Sequence, residues 1–331
     1  MDNMKRIGYI DIMKGIAILC VVGGHYFSFP ILSTFIWSFH MPLFVFLNGY
    51  FFKDGAICNR LKKSWVSYMK PYILVWFILI LLESLIAYYK GDNIILIAKQ
   101  RFLSGFWALA SNRALFRPEG IVKIGVIWFL NALFIGTVLQ SITLKIRNQL
   151  FQILFVTVIF LGAVFWTNHI CLPFGLNYGS AFLVWLWIGY YYSKKCPLYA
   201  ISFIESKRGF YFFFVIWIGI VVLEGLTRNQ YNICWLRLPL YGVELIGAFS
   251  GIIVIMYVSR YIELNIESLA SSLRYLGISS LWILCIHAID VELFPEEPIG
   301  INFIRFIIDI VIALTSRKIY KVLTTSQISK I

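Results

Sequence analysis

The 331-residue chain is 60% hydrophobic and 18% aromatic, with 14% charged residues, against about 25% charged in an ordinary soluble domain. That balance excludes a water-soluble globular protein and leaves no room for a separate soluble domain. The net charge of +13 is dispersed as short basic clusters between apolar runs, which reads as membrane topology and not as a nucleic-acid footprint.

Lys5 and Arg6 precede the first apolar run. The arrangement resembles a signal peptide, but Asp11 and Lys14 interrupt it and no small-residue cleavage site follows, so the segment is expected to remain as the first span. Runs of about 17 to 25 apolar residues suffice to cross a hydrocarbon core of about 30 Å. They are expected near 9–28, 35–52, 71–89, 121–143, 150–166, 178–193, 209–226, 239–258, 275–290 and 299–316. The prediction is one domain over residues 1–331, an all-α integral membrane protein of about ten transmembrane helices with both termini inside.

That orientation puts Arg60, Lys62, Lys63 and Lys70, then Lys145 and Arg147, Lys194 and Lys195, Lys207 and Arg208, and Arg317, Lys318 and Lys321 on the cytoplasmic side, as the positive-inside bias requires. A reporter fused after residue 60 is therefore expected to read cytoplasmic and one fused after residue 171 external. A reversed pair of signals overturns the orientation. The exception is 90–120, placed outside although it carries Lys90, Lys99, Arg101, Arg113 and Arg117. A solvated interfacial loop is expected there, with a clamp for an anionic lipid-linked sugar phosphate as the alternative. No internal repeat or matched pair of broken helices points to a transporter.

A charged group inside a span costs about 2.5–3.5 kcal/mol on insertion scales, which makes each one a candidate for function. The first span holds Asp11, Lys14 and His25. Lys14 and His25 are eleven residues apart, which at about 100° per residue returns them to nearly one helix face, about 16 Å apart along the axis. Such a face can line a cleft through much of the bilayer. Asp11 and Lys14, spaced i, i+3, can pair, and Lys14 can also snorkel to the inner headgroups. Gly23 and Gly24 before His25 permit close approach of a helix or ligand.

His25, His40, His169 and His287 all fall in the outer half of the expected topology. A single membrane histidine is commonly an interhelical hydrogen-bonding group, but three at similar depth on different helices point to a shared site. Histidine has an unperturbed pKa of about 6.5 and so can take a proton from a hydroxyl and return it near neutral pH. No Gly-x-Ser-x-Gly elbow is present. A histidine base or a transient acyl-histidine is the remaining chemistry for acyl transfer.

The other intramembrane polar residues are Asn48, Glu83, Glu244, Arg305 and Asp309. Arg305 and Asp309, spaced i, i+4, are expected to neutralise one another. Glu83 and Glu244 can orient a histidine, bind sugar hydroxyls or pack between helices. Trp128, Trp185 and Trp187 can stack on sugars or anchor at the interface. The six cysteines show no zinc-like spacing, so no metal site is expected. Cys171 and Cys234 both fall on the outward side, where a disulfide is geometrically open, with free buried thiols as the plainer reading.

The run Ile10-Asp11-Ile12-Met13-Lys14-Gly15-Ile16-Ala17-Ile18-Leu19, followed by Gly24-His25, resembles the first helix of the acyltransferase-3 family of membrane acyltransferases, especially its fucose-acetylase-like branch. The family signature is a basic residue, ten intervening residues and a histidine, and Lys14 and His25 match it by position. Phe39-His40-Met41-Pro42-Leu43-Phe44 with Asn48-Gly49-Tyr50, Trp128-Phe129-Leu130, and Gly277 to Ser280 leading to His287 extend the likeness over roughly residues 5–320.

The resemblance implies a ten-helix fold in a bacterial inner membrane and transfer of an acyl group, usually acetyl from cytoplasmic acetyl-CoA, to a sugar hydroxyl of an exported or cell-surface glycan, free or lipid-linked. On that basis His25 serves as general base or acyl acceptor, His40 as its partner or orienter, and Asp11 and Lys14 as organisers of the inner end of the cleft. Some members carry an arginine pair in the basic loop after the second span; here Arg60, Lys62, Lys63 and Lys70 stand in that stretch and would attract the CoA phosphates. Other members append a soluble hydrolase-like domain, and without one the membrane helices must complete the transfer. The competing readings are a glycan exporter or flippase that makes no bond, and a structural subunit of a polysaccharide-synthesis complex.

Overall fold

A backbone in hydrocarbon has no water to bond, so apolar segments close their own hydrogen bonds as helices. The computed structural model describes all residues except 1–6, 28, 54, 112–119, 168, 171, 228–231, 235, 237, 295–297 and 329–331. Expectations that rest on Lys5, Arg6, Arg113, Arg117 and Cys171 lie outside the described residues.

The helices are α1 (Gly8–Tyr26), α2 (Pro30–Trp37), α3 (His40–Tyr50), α4 (Ile57–Ser64), α5 (Lys70–Lys90), α6 (Ile94–Trp107), α7 (Trp128–Thr143), α8 (Gln149–Thr167), α9 (Leu176–Lys194), α10 (Leu198–Ile204), α11 (Lys207–Thr227), α12 (Val243–Asn265), α13 (Glu267–Ile278), α14 (Ser280–Leu293) and α15 (Ile299–Ile328). A π-helical turn, Trp65–Met69, joins α4 to α5, so that Ile57–Lys90 continues as one 34-residue helix.

Among the described residues seven helices are long and apolar enough to cross a membrane: α1, α2 with α3, α4 with α5, α8, α11, α12 and α15. The pair α13 and α14, bent by 64°, makes an eighth when counted as one broken span and a re-entrant loop otherwise. The chain is thus an all-helical integral membrane protein. The sequence also places spans at α7, which has only 16 residues, and at α9, whose inner face is buried against α3, α7 and α8.

Two segments differ from their expected form. The span drawn at 121–143 is helical only from Trp128. Gly125 adopts φ +81°, in the left-handed region, and the Glu292 side chain occupies the space a β-carbon would need there, so the backbone before α7 cannot be helical. The amide of Ile124 instead donates to the Leu109 carbonyl (3.0 Å). The stretch drawn as a solvated loop at 90–120 contains α6, capped by Asn93, whose side chain accepts from the Leu96 amide (3.0 Å). This helix folds back on α5. Trp76 Nε1 donates to the Arg101 carbonyl (3.0 Å), the Tyr72 hydroxyl donates to the Gly105 carbonyl (2.6 Å), and Gly105 leaves room for the Trp76 ring.

Without a hydrophobic difference between lipid and side chains, membrane helices associate through close packing at small residues. Gly15 of α1 lies against the Leu273 backbone of α13, and Gly277 lies against the backbone of Asp11 and Gly15. This contact seats α1 in the middle of the bundle, where it also meets α3, α12, α14 and α15. The bend that follows Gly277 is held from α15 by Arg317, whose Nη1 donates to the Ser279 hydroxyl (2.8 Å). It carries α14, with His287, back across the upper part of α1.

Candidate active site

Asp11, Lys14, Ile18, Val21 and His25 recur at alternating steps of three and four residues along α1, the spacing that keeps side chains on one helix face. That face lines two adjoining cavities. His25, His40, Trp37, Lys123, Trp128 and Glu292 border the first, of about 170 Å³. Asp11, Lys14, Ile18, Asn48 and Tyr68 border the second, of about 270 Å³. Val21 and Met41 belong to both walls. A third cavity, of about 430 Å³, is lined by Lys53, Arg60 and Lys63 and shares Asn48, Ser67 and Tyr68 with the second. Positively charged groups at one mouth and the histidines thereby border a series of adjoining cavities.

The basic residues divide accordingly. Arg60 and Lys63 line the third cavity, whereas Lys62 and Lys70 are exposed elsewhere on the surface. Arg60 is fixed by a bond from Nη1 to the Lys53 carbonyl (3.0 Å) and by its position over the Phe52 ring (5.2 Å). Lys14 pairs with Asp11 (3.6 Å) and lies over Phe51 (5.4 Å). Asn48 accepts from the Tyr68 hydroxyl and donates to the Phe44 carbonyl (2.8 Å), which ties α3 to the π-helical turn at the junction of the second and third cavities.

The histidines converge, with one exception. His25 is exposed to the first cavity, its ring 5.3 Å from that of His287 and 6.2 Å from that of Trp37, which in turn stands 6.3 Å from His40. His40 is buried, with Nδ1 2.6 Å from the Ile36 carbonyl, so Nδ1–H is the donor there. Gly24 lets α2 close over this region, with Trp37 Nε1 in contact range of the space above it. His169 stands apart, stacked on Phe165 with its Nδ1 bonded to the Phe165 carbonyl (2.8 Å).

The roof of the first cavity is non-helical backbone, including Ala110, Gly125 and Val126, of the kind a membrane protein tolerates where it borders a cavity. Lys123 of this roof pairs with Glu292 (3.0 Å), and Arg101 reaches Glu292 (3.2 Å) and Glu83 (Nε to Oε2, 2.7 Å). Arg101 is only 7% exposed. The expectation that it lies in a solvated loop is therefore corrected, and Glu83 is committed to this ion cluster. Glu244 is committed as well: its carboxylate accepts from the Leu240 and Gly242 amides (2.9 Å for the latter) and so caps its own helix.

Arg305 and Asp309 do not neutralise one another. Arg305 pairs with Asp290 (2.5 Å), and Asp309 accepts from His287 Nδ1 (2.9 Å) and from the Tyr26 hydroxyl (2.6 Å), which also reaches Asp290 (2.5 Å). Side chains one helical turn apart in α15 thus serve different neighbours on α1 and α14. Asp290 was not singled out from the sequence, although its place three residues after His287 puts both on one face of α14. Trp185 is fully buried in the core, and Trp187 stacks on Tyr191 (5.3 Å), so of the three tryptophans Trp128 alone lines the histidine cavity.

Fold and site together define a multi-pass membrane protein whose central helix carries a basic residue and a histidine along a cavity-lining face. The family model described as an acyltransferase domain matches residues 7–314, and the chain belongs to this acyltransferase-3 family. The reaction class that membership supports is acyl transfer within a membrane. Neither a curated protein nor a solved structure matches the chain.

Proposed function

We propose that the protein moves an acetyl group from cytoplasmic acetyl-CoA to a sugar hydroxyl of an exported or cell-surface glycan, as in the fucose-acetylase-like branch of the family. It would do so from about ten helices in a bacterial inner membrane, with both termini in the cytoplasm. The observation that carries this reading is the run of cavities from Arg60 and Lys63, past Asp11 and Lys14, to His25 and His40. The phosphates of CoA meet cations at the inner mouth, the thioester extends along α1, and the acceptor enters beneath the roof that carries Lys123.

In this scheme His25 removes the proton of the acceptor hydroxyl as its oxygen attacks the thioester carbonyl carbon. The carbon–sulfur bond breaks, and the departing thiolate takes the proton back from His25. His40 spends its Nδ1–H on the Ile36 carbonyl, so the other ring nitrogen is an acceptor suited to holding a second acceptor hydroxyl.

The test combines transfer and donor binding. Purified protein should move labelled acetyl from acetyl-CoA to a glycan acceptor. Arg60→Ala with Lys63→Ala should weaken acetyl-CoA binding, since a hydrogen bond to a charged group contributes about 1.5–3 kcal/mol, whereas Lys70→Ala should leave it unchanged. Equal affinity in the double variant and the parent would remove the third cavity from the donor route.

A further inference from the structure

His287 is the polar ring against His25, and it is completely buried. Its Nδ1 is held by Asp309 at 2.9 Å, while its Nε2 is buried with no hydrogen-bond partner. An orphaned nitrogen of this kind is costly in a protein interior. With Nδ1–H donating to the Asp309 carboxylate, the tautomer is set and Nε2 is the acceptor. The centroid separation of 5.3 Å from the His25 ring leaves room for facing nitrogens to come within hydrogen-bonding distance.

Charge counting points the same way. Behind His287 stand two carboxylates, Asp290 and Asp309, one guanidinium, Arg305, and the Tyr26 hydroxyl between the two acids. A phenol has a single proton to share between them. Counted formally with His287 neutral, the group holds one negative charge in excess, shared between the buried Asp309 and the partly exposed Asp290. The charge that would balance it is a positive one on the neighbouring imidazole.

We infer that His287, oriented by Asp309, is a positioning residue for His25: it accepts the N–H of His25, fixes which nitrogen faces the substrate, and stabilises the imidazolium formed when His25 takes the hydroxyl proton. The inference rests on the acyl-transfer reading above. No proton leaves the substrates by this route. The proton taken by His25 returns to the thiolate, and the Asp309–His287 pair changes only the energy of the charged state between those two events, as fixed dipoles and charges do where charge develops.

The experiment uses full-length protein in detergent or lipid nanodiscs, with acetyl-CoA binding as the measure of folding. His287→Gln and the isosteric Asp309→Asn should each lower kcat on the order of 10²-fold or more, by analogy with the loss when the buried carboxylate of an acid–histidine pair is neutralised, with KM for acetyl-CoA unchanged. In the His25→Ala background, His287→Gln should cost nothing further, because a residue that acts through another has no effect once that other is gone. Full kcat in folded His287→Gln and Asp309→Asn proteins, or a second multiplicative loss in the double variant, overturns the inference. Full acetyl transfer by His25→Ala alone would remove His25 as the base, and with it the group His287 positions, whereas no acetyl transfer by the folded parent protein would overturn the acyl-transfer reading, so the failures are distinguishable.

Discussion

His25→Ala is expected to reduce acetyl transfer by about 10²- to 10⁴-fold, the usual contribution of a positioned general base, and by more if the histidine itself carries the acyl group. The side chain is exposed to the cavity and is not buried in the core, so truncation enlarges a space that already exists and should leave the yield of folded protein nearly unchanged. Surface glycan should still be exported. Acetyl content and glycan amount, measured separately and normalised to protein in the membrane, tell the alternatives apart. Normal acetylation per folded molecule would make His25 a packing group. Loss of exported glycan, with no acetylated product ever found in the parent, would favour a transporter.

The cavity-lining face of α1 was legible because helical geometry is local: the interval between Lys14 and His25 needs no knowledge of any other helix. The Asp11–Lys14 pair was legible for the same reason. That His25, His40 and His287 lie at one level followed from depth, since orientation places residues along the membrane normal; that His25 and His40 border one cavity did not. Depth could not separate these three from His169, which lies at a helix end beside Phe165. Lateral position is decided by which helices touch, and that depends on close contacts such as Gly15 and Gly277.

The same limit explains the errors on the ionisable groups. Arg305 and Asp309 have the spacing of a local pair, yet a local pair on an exposed helix is worth only a few tenths of a kcal/mol. Buried partners on α1 and α14 offer stronger, charge-assisted bonds, and tertiary structure overrides the local choice. Glu244 is the opposite case. It sits in the first turn of α12 behind Gly242, so its use as a cap was available from helix-end chemistry without any tertiary information. Gly125 likewise marked a break that the apolar run around it concealed.

Arg101→Ala is expected to be the most destabilising single substitution in the outer cluster, by about 3–5 kcal/mol, the usual cost of stranding the partners of a buried ion pair. Arg101 connects four parts of the fold. It grips Glu83 of α5 through two nitrogens, reaches Glu292 of α14 (3.2 Å), and donates to the Lys123 carbonyl in the roof (3.2 Å), all from α6. Without it, Lys123 still faces Glu292 at 3.0 Å, but Glu83 loses the guanidinium that balances it. Glu83→Gln should therefore recover part of the loss in the Arg101→Ala background, although each change alone breaks the pair. Thermal unfolding of the four proteins in one detergent measures this directly. An Arg101→Ala protein as stable as the parent, or a double variant no better than Arg101→Ala, would show that the cluster contributes little to the fold. Because the roof that Arg101 holds also borders the histidine cavity, acetyl transfer by Arg101→Ala should fall at temperatures well below its unfolding transition, and Glu83→Gln should restore stability more than rate.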